Sequence, residues 1–213
     1  MKKLFIAAFM LIGMFNTTLA QDASAYQAAL KKNIAVLDTA RKISTFQEVA
    51  NAFERMLSVE KNDWLLYYYA SMSLQGLAEK QTDPEGIDAI LDKAQTYSDA
   101  AAALNPKNAD ILCLNAAINF SRINVDFMAR GPQYSAKAEE MLMAARKIDA
   151  NNPRVYLLLG QKAFFTPEQF GGDKKLAKKL LEKAVELYAQ APAETNNPHW
   201  GQPLAQNLLS NMK

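Results

Sequence analysis

The chain is expected to be all-α, an α-solenoid of antiparallel helix pairs, and three observations lead there. Alternating β-branched runs and Asn-Gly or Asp-Gly hairpin turns do not occur anywhere in its 213 residues. Apolar residues instead recur at intervals of three and four along most of the chain. Two sets of small residues then repeat in step with one another, which marks an array of similar units and not a generic bundle.

The N-terminus reads as an export signal. Lys2 and Lys3 precede an unbroken apolar run over 4–15, and Thr18-Leu19-Ala20 supply the small residues a signal peptidase needs, so cleavage is expected before Gln21. That run is too short to span a bilayer, and no second stretch of spanning length follows. No cysteine stands at the cleavage point to carry a lipid, so the mature chain is expected to be soluble, in the periplasm or secreted. Lys2 and Lys3 leave with the leader, so 22 of the 24 basic residues face 22 acidic ones. That balance gives no global attraction to nucleic acid or anionic lipid. Residues 21–213 suffice for one well-buried domain. Cys113 is the only cysteine, so it forms no intramolecular disulfide and is expected to be buried.

The first helix is expected over about 22–41, with Tyr26, Leu30, Ile34 and Leu37 on one face. Ser44 with Gln47, and Thr45 with Glu48, are overlapping capping-box candidates for a second helix expected to carry Phe46, Val49, Phe53 and Met56. A third begins near Asp63 with Trp64, Leu65, Leu66 and three consecutive tyrosines. Asp83-Pro84 opens a fourth, with proline where a missing N–H costs nothing, and Asn105-Pro106 ends it after Leu104.

The internal period is carried by small residues. Asn62, Asn108 and Asn152 each precede a helix, and eight residues later stand Ala70, Ala116 and Gly160. On the partner helices Ala94 and Ala101, Ala138 and Ala145, and Ala177 and Ala184 are paired seven apart. Two antiparallel helices need a small side chain where their axes come closest, at roughly 8–10 Å. Alanine is also the best helix former, but propensity alone does not keep three pairs in register.

These residues resemble the tetratricopeptide-repeat (TPR) family, most clearly in Tyr156, Leu159 and Gly160 followed by Ala177 and Ala184. The resemblance covers about 62–189 and implies helix pairs stacked into a right-handed superhelix. The alanine pairs are 44 and 39 residues apart, longer than the roughly 34 residues of the family repeat. The proline that closes a repeat is present only as Pro106; Ala150 and Ala189 stand at the later equivalents. The expected layout is a signal peptide over 1–20, an N-terminal helical pair over 21–61, the repeats over 62–190 and a capping segment over 191–213.

The additional residues fall inside the units, at 76–83, 121–131 and 166–172, where insertions are expected to project from one face. In the third, a cap and one helical turn at Thr166-Pro167-Glu168-Gln169 precede Gly171-Gly172, which permits a backbone reversal before Asp173 caps the next helix. Whatever is particular to this protein is expected near Phe170-Gly171-Gly172. Beyond it, Pro192, Pro198, Trp200 and Pro203 surround a short last helix with Leu204, Leu208 and Leu209, and Trp200 is expected to bury against the last pair.

Catalytic patterns are missing from the sequence. His199 is the only histidine, which excludes His-based triads and two-His zinc sites. Gly171-Gly172-Asp173-Lys174-Lys175 lacks P-loop spacing, and Asp173 would repel an anion there. Lys174, Lys175, Lys178 and Lys179 read as a solvated face opposite Leu176, Leu180, Leu181 and Ala184, and Asn119-Phe120-Ser121 is a sequon without a role. No catalytic, metal or cofactor residues are therefore assigned, and the chain is not expected to be an enzyme.

Surface recognition remains. The family resemblance implies that the first helix of each pair lines a concave groove, opposite the small residue. That selects Trp64, Tyr67 and Ser71; Asp110, Cys113 and Ala117; and Arg154, Leu157 and Gln161. Arg154 is the only cation in that set, so a clamp for a peptide carboxylate is not supported. A protein-protein interaction or scaffold module of the cell envelope is the first expectation, with another protein or peptide as partner. The alternative is a small-ligand or substrate-binding subunit whose groove the insertions close.

Overall fold

The computed structural model describes residues 24–190 and 196–212; the expected leader and Pro192 lie outside them. The described residues contain no strand and nine α-helices, so the chain is all-α. Helix α1, over 24–38, buries Leu30, Ile34 and Leu37 against α2 (Ile43–Leu57) and α3 (Trp64–Ala78). The capping boxes at Ser44 and Thr45 are not formed. Helix α2 starts at Ile43, its N-cap Lys42 makes no side-chain bond, and the Lys42 carbonyl accepts from Phe46 N–H at 3.2 Å. Burial of Val49, Ala50, Phe53 and Leu57 holds this helix, and a side-chain cap is not needed to start it.

Three helix pairs follow: α3 with α4 (Pro84–Leu104), α5 (Ala109–Ile123) with α6 (Phe127–Ile148), and α7 (Pro153–Phe165) with α8 (Lys174–Tyr188). Connections this short turn each second helix back along its partner. Asp63, Asn108 and Asn152 cap the first helices, and Asp83, Asp126 and Asp173 cap the second. Ala70, Ala94, Ala101, Ala116, Ala138, Ala145, Ala177 and Ala184 are all fully buried. A Cβ built on Gly160 would lie 2.9 Å from Leu181 Cγ and 3.5 Å from the Ala177 carbonyl, so α7 and α8 touch there almost backbone to backbone.

Two of the three insertions are not projecting loops. Residues 76–78 still belong to α3, where a Cβ on Gly76 would strike the Phe46 ring at 2.4 Å. Residues 127–131 open α6, which carries Gly131-Pro132 inside the helix. The added length appears instead in α4 and α6, of 21 and 22 residues against 15 in α8. Only 166–172 remains a structured loop, with a single 3-10 turn at Glu168–Phe170.

The C-terminal segment departs most from expectation. Helix α9 (Gln202–Ser210) packs Ala205 and Leu208 on Leu181, Ala184 and Tyr188, as an end cap should. The residues before it do something else. Tyr69 Oη donates to the Asn196 carbonyl at 2.9 Å, Asn196 Nδ2 donates to Gln27 Oε1 at 3.0 Å, and His199 Nε2 lies 2.9 Å from Asp38 Oδ2. Trp200 Nε1 donates to Tyr68 Oη at 2.7 Å, and Tyr188 Oη donates to the Trp200 carbonyl at 2.9 Å. Residues 196–201 therefore form a strap across the first helices, from α1 and α3 to α7 and α8.

Candidate functional site

The strap occupies the surface that the first helices would otherwise offer as a groove. Arg154 stands with its guanidinium 5.8 Å from the Trp200 ring, and a Cβ on Gly201 would meet Leu157 Cδ2 at 2.6 Å and Tyr188 Oη at 2.2 Å. Gly201 also has φ 106, so both space and backbone conformation require glycine at this point. Beneath the strap Cys113 and Leu157 are fully buried, Ala117 is 9% exposed and Arg154 is 6% exposed. Arg154 is neutralised by Asp110, through Nη2 at 2.7 Å and Nε at 2.9 Å, while Asn152 Nδ2 donates to the same carboxylate oxygen at 2.6 Å. Burial works against the charge on Arg154, yet Asp110 keeps its pKa raised. Burial likewise pushes the Cys113 thiol up and keeps it in its uncharged form.

In the first unit the groove set is displaced by one residue. Ser71 faces α4, its Oγ donating to the Ala94 carbonyl at 2.7 Å, and the Tyr67 ring lies 6.3 Å from that of Tyr97 on α4. Tyr68 and Tyr69 meet the strap instead, and half-buried Trp64 stands edge-on to Tyr68 at 6.0 Å. The cause is the cap. Asp63, not Asn62, caps α3, so the position five beyond each cap is Tyr68, Cys113 and Leu157. The position eight beyond is then Ser71, Ala116 and Gly160, with Ser71 on Ala94 matching Gly160 on Ala177. Gln161 is half-buried on α7.

A group of exposed apolar side chains lies elsewhere, about the edge where the second and third insertions meet. Phe127 begins α6, Phe165 ends α7 and Phe170 closes the 3-10 turn; they are 45%, 63% and 54% exposed. Met128 and Leu176 are 71% and 47% exposed. The Phe127 and Phe170 rings approach edge to face at 6.5 Å, and Phe164 and Phe165 do so at 4.9 Å. The loop that presents Phe170 is built on glycine. Gly171 has φ 93, and a Cβ on Gly172 would lie 1.8 Å from the Thr166 carbonyl oxygen. Gly172 N–H bonds Pro167 at 3.1 Å and Asp173 N–H bonds the Ala163 carbonyl at 3.0 Å, which closes the loop onto α7. Asp173 Oδ1 accepts from Lys175 and Leu176 N–H, so the α8 terminus caps itself. Behind Phe127, Arg130 grips Asp88 of α4 with two bonds of 2.7 and 2.8 Å, and this partner lowers the Asp88 pKa.

Two smaller features are accounted for internally. A depression of about 230 Å³ is lined by Tyr26, Glu60, Asn62 and Asp63, but Tyr26 donates to Asp63 and Asn62 N–H donates to Glu60. His199 is bound on both sides, by Asp38 and by the Asn197 carbonyl at 2.9 Å. No group of three His, Cys, Asp or Glu side chains among the described residues is placed to hold a metal ion, and no helix there is long and apolar enough to cross a membrane.

Among solved structures, the chain is similar to the HusA haemophore from Porphyromonas gingivalis, with a TM-score of 0.79 and 30% sequence identity over 88% of this chain and 92% of that one. This chain belongs to the family of that protein. No protein-family model and no curated protein sequence matches it. Membership gives the aromatic edge its interest: a family that includes a haemophore here exposes five large apolar side chains close to one structured loop.

The sequence drew attention to Phe170-Gly171-Gly172 but not to its partners. Phe127 and Met128 read as part of a loop, and Leu176 as an inward-facing residue of α8. The available signal was the placement of the insertions themselves, since equivalent insertions in adjacent units emerge at the same end of the array.

Proposed function

We propose that this chain is a non-catalytic, exported carrier for a flat, largely apolar ring of the haem class, held at the edge made by Phe127, Met128, Phe165 and Phe170. One observation carries the reading: these side chains are 45–71% exposed in a chain whose family includes a haemophore. Exposed aromatic rings that pair across two connections, as Phe127 and Phe170 do, suit a binding surface. Offset or edge-on aromatic rings suit the face of a tetrapyrrole, and the Met128 thioether adds a polarisable contact. Lys174 and Lys175, exposed at the start of α8, supply cations for the ring's carboxylates.

The donor set favours recognition of the ring over its iron. His199 sits on the strap against α1 and Cys113 is fully buried, so the aromatic edge carries neither an imidazole nor a thiol. Metal-free protoporphyrin should therefore bind within about threefold of haem, a difference of under about 0.7 kcal/mol. Absorbance or fluorescence titration with both rings tests this. Binding that required iron would place a metal ligand at the centre of the site and sink this assignment.

The helix-pair stack is read as a TPR-like scaffold, supported by the common register of Ser71, Ala116 and Gly160. Peptide capture in its concave groove has less support than the carrier reading, because a peptide would first have to displace residues 196–201. The carrier reading keeps the small-ligand alternative and assigns it to the aromatic edge in place of a groove closed by the insertions, and the haemophore neighbour is compatible with it.

A further inference from the structure

The strap holds its outer end by a side chain that titrates near neutrality. His199 Nε2 faces Asp38 Oδ2 of α1 and Nδ1 faces the Asn197 carbonyl, both at 2.9 Å. Both partners are acceptors. A neutral imidazole carries one N–H, so either tautomer turns a ring lone pair towards an oxygen. Only the doubly protonated ring bonds both. The other attachments are Asn196 Nδ2 to Gln27 Oε1 of α1, Tyr69 to the Asn196 carbonyl, and Trp200 to Tyr68, and these contain no group that changes charge near pH 7, so His199–Asp38 is the part of the fastening to α1 that responds to pH.

We infer that residues 196–201 form a pH-responsive closure of the concave face, in which the His199–Asp38 pair fastens the strap to α1 in acid and lets it lift as the imidazole loses its proton. The inference is independent of the carrier reading. The groups facing the strap are Asp38 on α1, Tyr68 and Tyr69 on α3, Asp110 on α5, Arg154 on α7 and Tyr188 on α8. Arg154 is already neutralised by Asp110, and burial raises the three tyrosines, which stay uncharged through the relevant range. The hydrogen bond that the imidazole donates to Asp38 raises the His199 pKa, partial burial opposes it, the Asn197 carbonyl adds to the rise, and Arg154 lowers it by a smaller amount. A raised folded value means that the stabilisation is complete below the ordinary value of 6.5 and is lost as pH climbs through the folded value. The pair is partly exposed, so the expected change in strap opening is modest, about threefold.

Trp200 reports the event. The W64F variant leaves it as the only tryptophan of the original two, and His199 gives the only histidine ring signal in the NMR spectrum. Between pH 5.5 and 8.5, acrylamide quenching of Trp200 should rise about threefold, with a midpoint matching the His199 ring titration; in W64F/H199Q it should be flat. In the unaltered protein, protection of the strap amides against hydrogen exchange should fall with the same midpoint after correction for intrinsic rates, which keeps the test open if a variant fails to fold. Quenching and protection that ignore the His199 midpoint, or an unchanged pH response in W64F/H199Q, would overturn the inference.

Discussion

Arg154 shows how a single side chain can organise a surface. The residue is 6% exposed, and its guanidinium pairs with Asp110 of the preceding helix pair and has the Trp200 ring 5.8 Å away. A buried pair of this kind adds little net stability over an apolar replacement, but loss of one partner leaves the other charged and unpaired. Asp110→Asn should therefore destabilise the chain by about 3 kcal/mol in urea unfolding, and Arg154→Leu by less, since Asp110 is 19% exposed and can be rehydrated. Equal losses in the two variants would mean that the ion pair itself, and not the stranded charge, sets the cost. From sequence, Arg154 was the lone cation of the groove set, which told against a carboxylate clamp. What the sequence did not carry was its consumption by Asp110, because their separation of 44 residues becomes a contact only after two helix pairs have stacked.

Among the elements, α3 marks the limit of sequence reading. Helical spacing and terminal signals placed α3, α4, α5 and α7 well, since caps and prolines act locally. Asn62 and Asp63 are both capping residue types, however, and choosing the first rotates the helix by one residue. The choice exchanges Tyr67 for Tyr68 at the strap and Ala70 for Ser71 at the contact with α4. Tertiary packing decides it, through the Ser71–Ala94 and Tyr68–Trp200 bonds at 2.7 Å each. The assigned register makes Gly160 and Ser71 equivalent, and substitution should reveal this. Gly160→Val forces Leu181 aside and should cost about 3 kcal/mol, while Ser71→Ala loses one hydrogen bond and should cost about 1 kcal/mol. A Ser71→Val cost near that of Gly160→Val, measured by denaturation, completes the comparison; a neutral Ser71→Val would break the equivalence. Gly172→Ala tests the third insertion. Its Cβ cannot coexist with the Thr166 carbonyl, so the loop must move, with a loss of about 2 kcal/mol and displaced Phe170 resonances.

For the whole molecule, all-α architecture was legible because helix periodicity and small-residue contacts are written along the chain. The path of residues 196–201 was not, because a segment holding Pro198 and Trp200, with Pro192 and Pro203 on either side, has no period to follow. The functional edge was legible only in part. Phe170 lay in a structured insertion, but its pairing with Phe127 depends on where the α5–α6 and α7–α8 connections emerge. Both rings are about half exposed, so their removal should leave the fold intact. The most direct measurement is a haem titration of the unaltered chain beside F127A, F170A and the double variant, with thermal unfolding as a control. Each single change should weaken binding about tenfold and the pair about 100-fold, at unchanged melting temperature. Full affinity in the double variant, or no haem binding by the unaltered chain, would contradict the assignment of this edge as the ring-binding site.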